Sequence, residues 1–126
     1  MSLRTPLGRV RGLGSAKEGT HHWWAQRLTA LALIPLTFWL VYSIVCMSTL
    51  DYMAAIGWLQ SPMTSSLLIL FVIALFYHAQ LGMQVVIEDY VACEVLKITS
   101  VILLKFIIWF TGLASIMAIL KVFLGL

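Results

Sequence analysis

Tyr77-His78-Ala79-Gln80-Leu81-Gly82-Met83-Gln84-Val85-Val86-Ile87-Glu88-Asp89-Tyr90 begins deep inside an apolar segment that opens near Thr64, and it ends in a cluster of ionisable groups. Read as a helix, it stacks His78 and Gly82, four residues apart, on one face. Asp89 lies eleven residues beyond His78, about three full turns, so both point the same way roughly 16 Å apart along the axis. Tyr90 follows about a third of a turn around. One helix face therefore carries an imidazole in the apolar interior, a gap beside it, and an acid with a phenol at the rim. Such an arrangement suits a buried cofactor below and a small amphipathic substrate above.

Composition places that helix in a bilayer. The 126-residue chain is 62% hydrophobic and 10% charged, with a mean hydropathy of +1.01. A soluble domain would carry about a quarter charged residues. Three apolar runs, over residues 28–49, 64–88 and 98–124, exceed the ~20 residues that one crossing needs. The expected fold is an all-α membrane protein of three transmembrane helices. Residues 1–20 read as a basic N-terminal arm and 21–126 as a single three-helix transmembrane domain. Each helix is apolar nearly all round, so partners in the bilayer are expected. Cys46 and Cys93 fall near opposite membrane faces in this topology, too far apart for a disulfide, and read as small apolar packing residues.

The N-terminal arm sets Arg4, Arg9, Arg11 and Lys17 against the single acid Glu18. No apolar core follows within it, so it is not a secretory signal. It reads as a flexible basic arm near anionic lipid or a partner protein. An organellar transit peptide is the alternative, against which its glycines argue. Trp23 and Trp24 suit the headgroup belt ahead of the first span. Arg27 stands at the edge of that span, either snorkelling to the surface or holding an anion. Pro35 lies inside the first helix, as membrane spans tolerate. The following loop, with Tyr52 and Trp58, suggests a short helix in the membrane plane, and Ser61-Pro62 marks the start of the next span. Lys105, about a turn or two inside the third helix, can snorkel back, and Lys121 anchors its far end.

Lys and Arg set the orientation. Arg4, Arg9, Arg11, Lys17 and Arg27 precede the first span, the first loop has neither residue type, and the second loop has Lys97. The N-terminus and second loop are expected on the cytoplasmic (or matrix) side, with the C-terminus in the periplasm. This brings Arg27, Asp89 and Tyr90 to one membrane face, with His78 below them. The formal charge of +3 comes from the basic arm and does not indicate nucleic-acid binding. There is no Gly-rich phosphate loop, no Cys-x-x-Cys and no nucleophile–base pair. His21-His22 on a flexible arm makes a poor metal site.

An ionisable residue inside a membrane is costly and tends to serve a function. A neutral imidazole is a good ligand for haem iron, and Gly82, one turn on, removes a side chain where a flat macrocycle would press. His78 is the one histidine in the three spans, so a six-coordinate haem would need its second imidazole from another chain. Asp89 and Tyr90 are either ordinary interfacial residues or parts of a quinone site. A quinone carbonyl needs a neutral donor, which a phenol supplies at neutral pH. An adjacent carboxylate and a guanidinium could orient that donor and stabilise charge as the quinone is reduced.

With these residues in place, the chain resembles the small D-type cytochrome b anchor subunits of succinate dehydrogenase (respiratory complex II). The resemblance covers most of the chain. It rests on the basic arm, on His21 and Arg27 with five residues between them, on three spans, and on His78-Ala79-Gln80-Leu81-Gly82-Met83-Gln84-Val85-Val86-Ile87-Glu88-Asp89-Tyr90-Val91. That last motif is the specific part. The segment Gly19-Thr20-His21-His22-Trp23-Trp24-Ala25-Gln26-Arg27-Leu28-Thr29-Ala30 resembles the alphaproteobacterial branch. It favours a bacterial inner membrane over a mitochondrial one.

The resemblance implies that His78 is one axial ligand of haem b, the other coming from a C-type anchor subunit. It implies that Tyr90 donates to a ubiquinone carbonyl, with Asp89 supporting the pocket. Arg27 would lie near a haem propionate or the quinone. The C-type anchor and an iron–sulfur subunit would complete that pocket, and a flavoprotein subunit would oxidise succinate. Where some members carry Asp after the His position, this chain has His22, so no acidic role is carried over. Two other functions remain in view: a purely structural, haem-free anchor, and a small transporter component. The latter predicts a polar stripe along one helix, whereas the polar groups here gather at one side.

Overall fold

The computed structural model describes residues 7, 17–47 and 51–126. The arm up to residue 16, and with it the transit-peptide alternative, otherwise lies outside the described residues. Four helices follow in order: α1 (Lys17–Met47), α2 (Tyr52–Gln60), α3 (Pro62–Tyr90) and α4 (Glu94–Phe123). α1, α3 and α4 are each long and apolar enough to span a membrane. At ~1.5 Å per residue they exceed the ~30 Å hydrocarbon core, so their ends reach the headgroups.

Two helices start earlier than hydropathy indicates. α1 opens at Lys17, inside the stretch assigned to the arm, and α4 opens at Glu94 rather than near residue 98. An apolar window marks only the part of a helix that lies in hydrocarbon. The helix itself continues wherever the backbone stays bonded and residues such as Trp, Ala, Gln and Glu allow it. Glu94 now sits in the first turn of α4, where a negative charge meets the positive end of the helix dipole. Lys105 consequently lies about three turns into that helix rather than one or two.

The connections have local causes. Asp51 opens α2 by accepting the Tyr52 backbone N–H at 2.6 Å. Ser61 ends α2 and starts α3, with Pro62 at the first helical position, where its missing N–H costs nothing. Ser65 Oγ donates to the Leu59 carbonyl at 2.6 Å and ties α2 to the start of α3. Trp58 of α2 stacks on Trp39 of α1, with ring centroids 5.9 Å apart. α4 closes on Gly125 at φ +70°, where the Gly125 N–H reaches the Val122 carbonyl and the Leu126 N–H reaches that of Lys121. Pro35 lies inside α1 without ending it.

α3 is the middle element, with α1 packed on one side and α4 on another. Among the described residues the buried set is small: Leu36, Ala74 and Leu81, with Thr64, Ser65 and Gly112. Three helices of this kind cannot enclose a core, so most large apolar side chains face outward to lipid or other chains. Against α4, the close approach comes at Gly112. A Cβ there would stand 3.6 Å from the Phe76 ring, an ordinary contact distance. Gly112→Ala is therefore expected to be tolerated, and Gly112→Leu to cost about 1–3 kcal/mol by overpacking. The thermal unfolding midpoint of the detergent-purified assembly measures this; an unchanged midpoint for the Leu variant would mean that α3 and α4 do not meet there.

Candidate functional site

His78 sits near the middle of α3, half-buried, on the side that faces α1. Its Nδ1 lies 3.0 Å from Thr29 Oγ1. Its Nε2 lies 3.4 Å from Gln26 Nε2, a long and weak contact. Thr29 Oγ1 also lies 2.8 Å from the Ala25 carbonyl and 3.1 Å from that of Gln26. Gln26 and Thr29 are three residues apart, so one face of α1 presents both to the ring. The Gln26 side-chain oxygen is buried without a hydrogen-bond partner. Gly82 borders this group, and a Cβ there would meet Gln26 Nε2 at 3.5 Å, an ordinary contact distance.

These contacts set depth. Gln26 and Thr29 flank Arg27, so the Arg27 backbone is level with His78, and the guanidinium leans over the Trp23 ring, 5.4 Å from its centroid. Tyr90 is twelve residues further along α3, about 18 Å away at ~1.5 Å per residue. The Arg27 backbone therefore lies level with the imidazole rather than with Asp89 and Tyr90, while its exposed guanidinium leans back one turn over Trp23. The reason is the length of α1, which continues ten residues toward the surface beyond Arg27.

The rim is built differently from the sequence picture. His21, His22 and Gly19 of α1 line a surface pocket of about 620 Å³ together with Tyr77, Gln84 and Glu88 of α3. Gln84 Nε2 donates to Glu88 Oε1 at 2.7 Å. Asp89 and Tyr90 close α3 and are both exposed, Tyr90 at 84%. The structure thus groups His78, Gly82, Gln26 and Thr29, with Arg27 level with them on α1. It leaves Asp89 and Tyr90 as a separate, open pair. Among the described residues no three His, Cys, Asp or Glu side chains converge as a metal site.

Sequence reasoning missed Gln26 and Thr29. The one available signal was that a polar ring in an apolar helix needs partners, and the polar side chains near that level of α1 are Gln26, Arg27 and Thr29.

A three-span bundle with few buried residues, apolar outer faces and a polar ring on its middle helix is an integral-membrane protein. Residues 1–118 match the family described as succinate dehydrogenase/fumarate reductase transmembrane subunit. The succinate dehydrogenase hydrophobic membrane anchor subunit of Rickettsia bellii is 40% identical over 117 residues, 93% of this chain and 94% of that one. The corresponding subunit of Paracoccus denitrificans is 33% identical over 90 residues, 71% of this chain and 70% of the relative. The succinate dehydrogenase membrane anchor subunit of Reclinomonas americana is 30% identical over 94 residues, 72% of this chain and 78% of the relative. The chain belongs to this family, as a multi-pass membrane-anchor subunit of the bacterial inner membrane.

The packing at Gly82 is open to test. Gly82→Ala is expected to leave the thermal midpoint of the purified assembly unchanged, because the added Cβ meets only the flexible end of Gln26. Gly82→Phe should wedge α1 from α3 and lower the midpoint by several degrees, on the order of 1–3 kcal/mol. Equal midpoints for the Phe variant and the parent would show that the two helices do not pack closely there.

Proposed function

We propose that this anchor subunit holds one side of a haem b through His78 and forms part of a ubiquinone site at Tyr90. It thereby links the succinate-oxidising subunits to the membrane quinone pool. The observation that carries the proposal is a half-buried imidazole in an apolar helix, oriented by Thr29 and bordered by the side-chain-free position of Gly82. The residues fit a haem ligand. One ring nitrogen has only a long contact, to an amide whose oxygen is already unpartnered, so turning Gln26 aside exposes that nitrogen at small cost. A bound haem would supply one-electron transfer within the membrane.

A C-type anchor subunit would bring the second axial histidine, against the outer faces that this chain leaves open. Arg27, level with His78, suits a haem propionate better than the quinone pocket. Iron–sulfur and flavoprotein subunits would dock on the face that carries Asp89, Tyr90 and the basic arm. That face is cytoplasmic by the distribution of Lys and Arg. Ubiquinone takes up two electrons and two protons there. The exposed Tyr90 phenol donates to a quinone carbonyl, Asp89 supports the pocket, and water on that side supplies the protons.

A haem-free structural anchor is the second reading. In its favour, both ring nitrogens of His78 already face side chains of this chain. Reduced-minus-oxidised spectra of the purified complex separate the two. His78→Ala is expected to remove or alter a b-type band; an identical band in the variant, or none in the parent, would leave the structural anchor standing. For the quinone role, Tyr90→Phe should lower succinate–quinone turnover by ten-fold or more, taking about 1.4 kcal/mol per decade for the lost donor. Succinate–dye activity should persist. Unchanged quinone turnover would dispose of the assignment.

A further inference from the structure

We infer that Thr29 is a positioning residue that fixes the tautomer of His78, holding the proton on Nδ1 and leaving Nε2 as the ligating nitrogen. The inference rests on the haem-binding proposal and extends it to the choice of nitrogen.

The hydroxyl of Thr29 has one proton. Its oxygen lies 2.8 Å from the Ala25 carbonyl, a group that can only accept, so the hydroxyl donates there. The carbonyl of Gln26, at 3.1 Å, is a second acceptor on the same side. With its proton directed to the backbone of its own helix, Thr29 Oγ1 meets the ring as an acceptor. The contact at 3.0 Å to His78 Nδ1 is then an N–H donating to oxygen. A neutral imidazole with its proton on Nδ1 carries its lone pair on Nε2.

On the other side of the ring the Gln26 amide stands 3.4 Å from Nε2, too long a contact to set the tautomer, so the choice falls to the shorter contact with Thr29. The amide oxygen of Gln26 has no partner, so the amide sits by Nε2 without a network of its own. Thr29 thus acts on the ring from behind, in the manner of partners that orient metal-binding histidines and raise their basicity. Thr29 itself touches no cofactor.

The test uses the assembled, purified complex carrying Thr29→Val, Thr29→Ser or His78→Ala, read by haem content per complex, haem midpoint potential and the low-spin ferric EPR spectrum. Val keeps the shape and β-branch of Thr, and Ser keeps the hydroxyl. Thr29→Val is expected to weaken haem retention by roughly 10–100-fold, the usual effect of losing such a partner. Haem that remains should show a raised midpoint potential, because a less basic imidazole stabilises ferric iron less, and a shifted EPR signal. Thr29→Ser should match the parent in all three. A Val variant indistinguishable from the parent, while His78→Ala loses haem, would overturn the role of Thr29 and leave the haem site intact. A Ser variant that behaves like Val would also overturn it, since packing of the methyl group would then be responsible. A parent without b-type haem, or His78→Ala with full haem, would overturn the underlying site and the inference together.

Discussion

An imidazole inside an apolar helix has to find polar partners, and the place where it finds them fixes how that helix lies against its neighbour. Leaving a polar group bare in hydrocarbon costs roughly 2–7 kcal/mol, depending on the reference. A hydrogen bond between membrane helices contributes on average only about 0.6 kcal/mol. The contact of His78 with Thr29 therefore does less to hold α1 on α3 than to forbid other registers, each of which would strand the ring. Gly82, one turn along α3, borders the same arrangement, its Cβ position 3.5 Å from the Gln26 amide.

Much of the geometry follows from that register. It sets Arg27 at the depth of His78 and brings His21 and His22 opposite Gln84 and Glu88. It leaves Tyr90 at the end of α3, open to whatever binds there. α4 packs against α3 through Gly112 and Phe76, and α2 pins the opposite end of the bundle through Trp58 and Ser65. The remaining apolar surface faces outward, as suits a member of a family of transmembrane subunits.

The elements of the fold were legible because hydropathy and turn chemistry are local. Three spans, the short helix between the first two, and the start of α3 at Ser61-Pro62 can all be read along the chain. Helix ends were less legible. Lys17 and Glu94 begin helices that extend past the apolar stretch, and nothing in a hydropathy window distinguishes a polar helical turn from a polar loop. His78 and Gly82 stood out as chemistry-bearing residues because each is unusual for its setting. Gln26 and Thr29 did not, since a Gln and a Thr at the edge of a span are unremarkable until a partner helix is laid beside them.

From the chain alone came the membrane environment, the number of crossings and the His78-to-Tyr90 motif that carries the family resemblance. All of these depend on residue type and spacing within one helix. Which side chains meet the ring, how deep Arg27 stands and which imidazole nitrogen is bound from behind depend on the relative placement of α1 and α3. That placement emerges from packing between segments some fifty residues apart, and no local pattern encodes it.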